Sequence, residues 1–273
     1  MKHCICMINV LLYILIYATT WAEIPENVRI TDISATSFVV SWTTRQKEKG
    51  FINYGKTFQM KSVAKDKRGD ISDYIHYIKI NLLSPETQYF FEIVSGETTD
   101  QKSGKHYTVT TPKAIMLIVD LCKPAGKIIK PETSLSTDTI VYLTLFENGK
   151  YSETKSILVT SEMNDIWRLD LMNFKSSNHK EQFKYSCGNS MLLVEAESGE
   201  DGVSWMLTKA AHSKTISSFR PEMTLNTLPE PHISGCILVL KALVGMGYFP
   251  VLDINNNRLD AGDALYMLMG EVY

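Results

Sequence analysis

Short segments in which apolar and polar residues alternate occupy the first hundred residues of the chain. Alternation with a period of two is typical of β-strands that bury one face. Turn-forming residues separate these segments, so the pattern predicts a small antiparallel β-sandwich. The segments are residues 28–30, 37–42, 50–54, 74–82 and 88–94.

The same pattern returns after Pro112 and predicts a second sandwich of similar size. Polar turns, among them Asn148-Gly149, separate its segments. The expected strands are residues 114–121, 126–128, 140–146, 156–160, 167–171, 191–196 and 203–207.

Beyond the second sandwich the apolar period changes to that of a helix. Residues 233–246 and 261–272 each carry apolar side chains at spacings of three and four, which predicts two short packed helices. The expected fold class is therefore mainly β, with two tandem β-sandwiches followed by a small α-helical pair and one calcium-type loop.

Oxygen-bearing side chains recur at every second position between these two predicted helices. Calcium loops place carboxylate, amide and backbone oxygens in this way and close the site with an acidic residue at the start of the next helix. The loop here is one residue shorter than the usual twelve, and an asparagine-rich turn with Asp260 as helix N-cap is the alternative interpretation. The predicted calcium ligands are Asp253, Asn255, Asn257, the Leu259 carbonyl and Asp263.

The first predicted sandwich resembles a fibronectin type III domain. Pro25 precedes its first strand, Trp42 lies on the strand that carries the core tryptophan in that family, and Tyr89 matches the tyrosine-corner position in the segment 83–89. The resemblance implies that Trp42 and Tyr89 are core residues and that the Tyr89 hydroxyl binds the backbone of a nearby loop.

The remaining segments resemble two other families. Residues 126–128, 141–143 and 166–169 are similar to a transthyretin-like or carboxypeptidase-regulatory-like module, with a generic immunoglobulin-like sandwich as the alternative. The tail from about residue 227 resembles a degenerate dockerin-like module, which implies calcium binding and a cohesin-like or other surface-protein partner. The predicted boundaries are 1–22 signal peptide, 23–112 fibronectin type III domain, 113–222 transthyretin-like sandwich and 223–273 dockerin-like helix pair.

The first 22 residues predict a secretory signal peptide, with a weakly basic start, a short apolar stretch at 8–17 and cleavage after Ala22. A retained signal anchor is the alternative. We therefore expect a secreted or cell-surface protein with no integral membrane segment after cleavage. The net charge of -2, from 28 basic and 30 acidic residues, argues against nucleic-acid binding.

Three cysteines remain after the predicted cleavage, namely Cys122, Cys187 and Cys236. In an oxidising compartment Cys122 and Cys187 could form a disulfide within the second sandwich. Three buried free thiols are an equally supported alternative, since free cysteine is among the most buried residue types.

No catalytic motif occurs in a suitable context, and the prediction is a non-catalytic protein. The tripeptide Arg68-Gly69-Asp70 matches an integrin-recognition motif, but a glycine turn is the default interpretation. The expected function is attachment or assembly at a cell surface through the calcium-stabilised tail. The alternative is a carbohydrate-binding accessory protein of a polysaccharide-degrading system. Its candidate sugar-stacking residues, if exposed, are Tyr54, Tyr107, Tyr142 and Trp205.

Overall fold

The computed structural model describes residues 24–115, 122–132, 138–210 and 222–224. These residues form antiparallel sheets almost throughout and contain no α-helix. The mainly β fold is thereby confirmed for the described ranges. The predicted helices at 233–246 and 261–272 lie outside them.

Eight strands build the first sandwich. β1, β2 and β5 form one sheet, and β4, β3, β6, β7 and β8 form the other. The strands are β1 (Glu26–Thr31), β2 (Phe38–Glu48), β3 (Gly50–Gly55), β4 (Ser62–Lys65), β5 (Asp73–Ile80), β6 (Gln88–Ser95), β7 (Thr98–Asp100) and β8 (Tyr107–Thr110).

The core of the first sandwich follows directly from the alternation. Tyr89, Phe91 and Ile93 of β6 are buried against Trp42 of β2, while the residues between them on β6 face outward. The Tyr89 hydroxyl accepts a hydrogen bond from the Ser84 amide at 2.8 Å. The predicted core roles of Trp42 and Tyr89, and the predicted loop contact, are confirmed.

Among the described residues after Pro112, seven strands belong to the second sandwich. β11, β10, β13 and β14 form an antiparallel sheet, and β9 pairs with β12 antiparallel and with β15 parallel. The strands are β9 (Ala125–Ile129), β10 (Thr139–Glu147), β11 (Lys150–Val159), β12 (Ile166–Arg168), β13 (Met191–Glu197), β14 (Val203–Lys209) and β15 (Glu222–Thr224).

Local sequence explains the tightest connection and the core of this second unit. Asn148 and Gly149 join β10 to β11 and have φ values of 50° and 73°, as a two-residue hairpin turn requires. Trp167 of β12 is fully buried in the core between the two sheets. A disulfide joins Cys122 to Cys187, with a Cα–Cα distance of 5.9 Å, so the first of the two predicted cysteine arrangements is confirmed.

Candidate functional site at the seam between the sandwiches

The predicted calcium ligands Asp253, Asn255, Asn257, Leu259 and Asp263 all lie outside the described residues. Within the described ranges, no cluster of three or more histidine, cysteine, aspartate or glutamate side chains is arranged to hold a metal ion. The most extensive cluster of buried polar contacts in this part of the chain lies instead between the two sandwiches.

We call this contact the seam. It joins the outer face of the sheet β1-β2-β5 to the outer face of the sheet β11-β10-β13-β14. Its apolar centre consists of Ile75 from β5 with Ile140 and Tyr142 from β10, all with no exposed surface. Tyr77 and Leu158 pack around this centre. β10 is therefore buried on both faces, one against its own core and one against the first sandwich.

A basic side chain from β1 anchors one side of the seam. The Arg29 guanidinium lies 4.2 Å from the centre of the Tyr142 ring and donates a 3.0 Å hydrogen bond to Glu195 of β13. The Tyr142 hydroxyl lies 2.9 Å from the Ser41 hydroxyl of β2. Burial is the main cause that raises the pKa of Tyr142, so the phenol stays neutral and can serve both as donor and acceptor.

A second arginine joins the sandwiches at another point. Arg68 donates to Asp66 through Nε and Nη2, to Asp73 at 2.6 Å and to Asp138 of the second sandwich at 2.9 Å. Burial works to lower the pKa of Arg68, but the aspartates outweigh it and leave the pKa raised. The arginine of the Arg-Gly-Asp tripeptide is thus only 11% exposed and held by internal carboxylates. Gly69 has a φ of 98°, in agreement with the glycine-turn interpretation.

Hydroxyl groups meet at a third point of the seam. Asp32 accepts hydrogen bonds from the Ser156 amide at 2.8 Å and from the Ser156 hydroxyl at 2.7 Å. The Thr31 hydroxyl also lies 2.5 Å from the Ser156 hydroxyl, and the Tyr77 hydroxyl donates to the Ser156 carbonyl. Burial is the main cause that raises the pKa of Asp32, although Lys155 partly opposes it.

Residues of both sandwiches also line a cleft of about 640 Å³. At its wall His179 Nδ1 lies 3.0 Å from the buried Glu153 carboxylate, and Lys155 lies 3.2 Å from the same carboxylate. Burial alone would raise the pKa of Glu153, but these neighbours outweigh burial and lower it. The contact between His179 and Glu153 holds the turn that contains His179 against β11, so it stabilises the second sandwich.

The candidate sugar-stacking residues are mostly core residues. Tyr142 is completely buried in the seam, so it packs against protein and offers no face to a sugar. Tyr54 and Tyr107 are half-buried against the core of the first sandwich, and Tyr107 stacks on Phe91 at 5.0 Å. Trp205 is half-buried on β14. Sequence reasoning missed the seam, whose one local signal was the nearly unbroken apolar run of β10.

One part of the chain matches a known protein family. A family model described as purple acid phosphatase, N-terminal domain, matches residues 25–111, which is less than half of the chain. No curated protein matches. No helix among the described residues is long and apolar enough to span a membrane.

Several solved structures are similar to the chain. The chicken CNTN1 FN1-FN3 domains share 16% identity, with 67% of this chain and 64% of that chain covered and a TM-score of 0.25. A central fibronectin-III array of RIM-binding protein shares 14% identity over 70% of this chain and 65% of its own, with a TM-score of 0.21. A two-domain fibronectin type III segment from chicken tenascin shares 12% identity over 69% and 99%, with a TM-score of 0.22. The family match coincides with the first sandwich and concerns the N-terminal domain of those phosphatases alone.

Proposed function

We propose that this protein is an exported, non-catalytic attachment module in which two β-sandwiches act as one rigid body. The C-terminal segment, stabilised by calcium, then holds this body to a surface partner. The observation that carries the first part of the proposal is the seam, where side chains from both sandwiches are buried in mutual hydrogen bonds and ion pairs.

The seam opposes hinge motion because opening it would expose buried charges and hydroxyls without their partners. Domains joined through small, polar contacts normally move relative to each other. Here Arg68 and Asp138 come from different sandwiches and are each about nine-tenths buried. Separating such a pair costs several kcal/mol, since each charge would lose its partner before it regains full hydration. A single orientation of the two sandwiches is the expected result.

Attachment is assigned to the tail on the basis of its ligand pattern. Asp253, Asn255, Asn257 and Asp263 supply side-chain oxygens at suitable spacing, and Leu259 supplies a carbonyl. A metal that binds only the folded segment adds its binding energy to folding. The dockerin-like resemblance supports a protein partner of the cohesin type.

Rigidity is tested by placing spin labels at Leu82→Cys and Val203→Cys, which are exposed positions on different sandwiches. The background carries serine in place of the three cysteines outside the Cys122–Cys187 disulfide, namely Cys4, Cys6 and Cys236. We expect one narrow distance distribution in the full-length protein and a broadened one after Arg68→Ala. A broad distribution before any change to the seam would contradict the rigid-body proposal.

Calcium binding by the tail is tested separately by melting the full-length protein in calcium chloride and in chelator. We expect calcium to raise the melting temperature and Asp253→Ala to abolish the increase. Asp70→Ala, which removes an exposed carboxylate from the first sandwich, serves as the control and should keep the response. Equal melting temperatures in calcium and chelator would rule out the calcium-dependent tail.

A further inference from the structure

An exposed aromatic group lies on the first sandwich, on the sheet that faces away from the seam. Phe58 is 65% exposed, and its ring centre lies 4.6 Å from that of Phe90 and 5.3 Å from that of His106. We call these three rings the platform. An exposed aromatic ring offers a face that a ligand can cover, and the Phe58 ring packs against its two neighbours.

The strand pattern explains why the platform faces outward. On β6 the side chains of Tyr89 and Phe91 enter the core, so Phe90 and Glu92 emerge on the opposite face. Phe58 comes from the connection between β3 and β4 and packs over Phe90. The platform therefore stands on a strand whose inner face is fixed by the core.

Polar side chains form a row beside the platform on the same face. Asn53 of β3 is the cross-strand partner of Glu92 and donates to its carboxylate at 2.9 Å. Gln101 donates to the other oxygen of that carboxylate at 2.7 Å. Each amide uses its N–H group in this row, so its oxygen remains an acceptor for a ligand hydroxyl. Successive outward residues of one strand lie roughly 7 Å apart, which places this row next to Phe90.

This combination matches the chemistry of a sugar ring, which has an apolar C–H face and a rim of hydroxyl groups. The C–H face carries partial positive charge and packs on the negative face of an aromatic ring. The hydroxyls pair with fixed carboxylate and amide groups. A protein partner would instead require a buried contact of roughly 800 Å² on each side, far more than one exposed ring and a polar row provide.

We propose that the outer face of the sheet β4-β3-β6-β7 binds a neutral oligosaccharide, with Phe58 stacking on a sugar ring and Asn53, Glu92 and Gln101 binding its hydroxyls. This inference extends the proposed attachment function by naming a ligand class. It does not depend on the seam, which lies on the other sheet of the sandwich, or on the calcium tail.

The test is an NMR titration of the isotope-labelled full-length protein with hexasaccharides of glucose, N-acetylglucosamine, mannose and galactose. We expect at least one of them to shift the amide signals of Asn53, Phe90 and Glu92. Shifts confined to other residues, or no shift with any of the four sugars, would overturn the proposal. So would a protein ligand that occupies this face while all four sugars fail to bind.

Variants separate stacking from general effects on the fold. Phe58→Ala should weaken binding of the active hexasaccharide about tenfold or more, whereas Phe58→Trp should preserve it, since both large rings offer a stacking face. Val203→Thr removes an exposed apolar side chain from the second sandwich and should leave binding unchanged. Equal affinities for Phe58→Ala and the parent protein would refute the stacking role. Spin-label distances and the calcium response are unaffected in either case, so failure here is distinct from failure of the attachment proposal.

Discussion

Replacing Arg68 by alanine tests whether the seam depends on buried charge. The guanidinium makes contacts with three carboxylates whose side chains are 5%, 8% and 9% exposed. It also donates to the Ile75 carbonyl at 2.8 Å. Its removal leaves three buried negative charges close together without their common cation.

The expected loss of stability is about 3–5 kcal/mol, the usual cost of removing one member of a buried ion pair. For a folded unit of this size the loss lowers the melting temperature by roughly 10 °C. The matched control is Arg45→Ala. Arg45 also forms a short ion pair, 2.6 Å from Glu26, but it is 78% exposed. An exposed pair of this kind contributes at most about 1 kcal/mol.

Urea unfolding of the full-length protein, followed by tryptophan fluorescence, measures both changes. Trp42 and Trp167 are buried in the cores of the first and second sandwiches, so the signal reports on both units. We expect one transition in the parent protein and an earlier, broader one in Arg68→Ala. Similar small losses for the two arginine variants would show that burial of the Arg68 cluster contributes little.

Three further predictions concern single positions. Gly199→Ala should lower the free energy of unfolding by about 2 kcal/mol, because φ is 63° and a Cβ there would lie 2.4 Å from Tyr74 of β5. The control Gly188→Ala, where a Cβ would meet open space, should change that free energy by less than about 0.5 kcal/mol, and urea unfolding compares the two variants. Cys187→Ser should destabilise the protein by about 4 kcal/mol, because its bond to Cys122 closes a loop with a sequence separation of 65, and an unchanged urea midpoint would contradict this. His76 should lower the stability of the protein as the pH falls from 6.5 to 4, because burial lowers its folded-state pKa to about 4 and only the unfolded state takes up the proton in this range. The melting temperature of His76→Gln should depend less on pH over the same range.

The first sandwich was largely predictable because its strands and its tyrosine-corner contact are specified by residues close together in the sequence. Alternation predicted β1, β2, β3, β5 and β6, and the segment around Tyr89 predicted a contact between residues five apart. The short strands β4, β7 and β8 were missed, since segments of three or four residues are too short to show a clear period. The calcium loop and the domain boundaries stay predictions.

The seam was not predictable in the same way, because its partners lie far apart in sequence. Arg68 and Asp138 are separated by 70 residues, and Arg29 and Glu195 by 166. Nothing in the pattern around Arg68 distinguishes a buried cation from an exposed loop tip. The sequence alone left Tyr142 as either a core residue or a sugar contact. Its ring is fully buried because the sheet β1-β2-β5 of the first sandwich packs over it.

The chemistry of the seam also bears on how the orientation of the sandwiches is specified. Apolar contacts such as Ile75 against Ile140 tolerate small sliding, because dispersion attraction depends weakly on direction. The hydrogen bonds from Ser156 to Asp32 and between Tyr142 and Ser41 do not, since they weaken steeply when distance or angle changes. Replacing the polar groups by apolar ones of similar size could therefore preserve stability while loosening the orientation. The double variant Ser41→Ala with Tyr142→Phe removes both hydroxyls of one such hydrogen bond, so neither is left buried without its partner. It should broaden the spin-label distance distribution more than it lowers the melting temperature. A large loss of stability with an unchanged distribution would contradict this expectation.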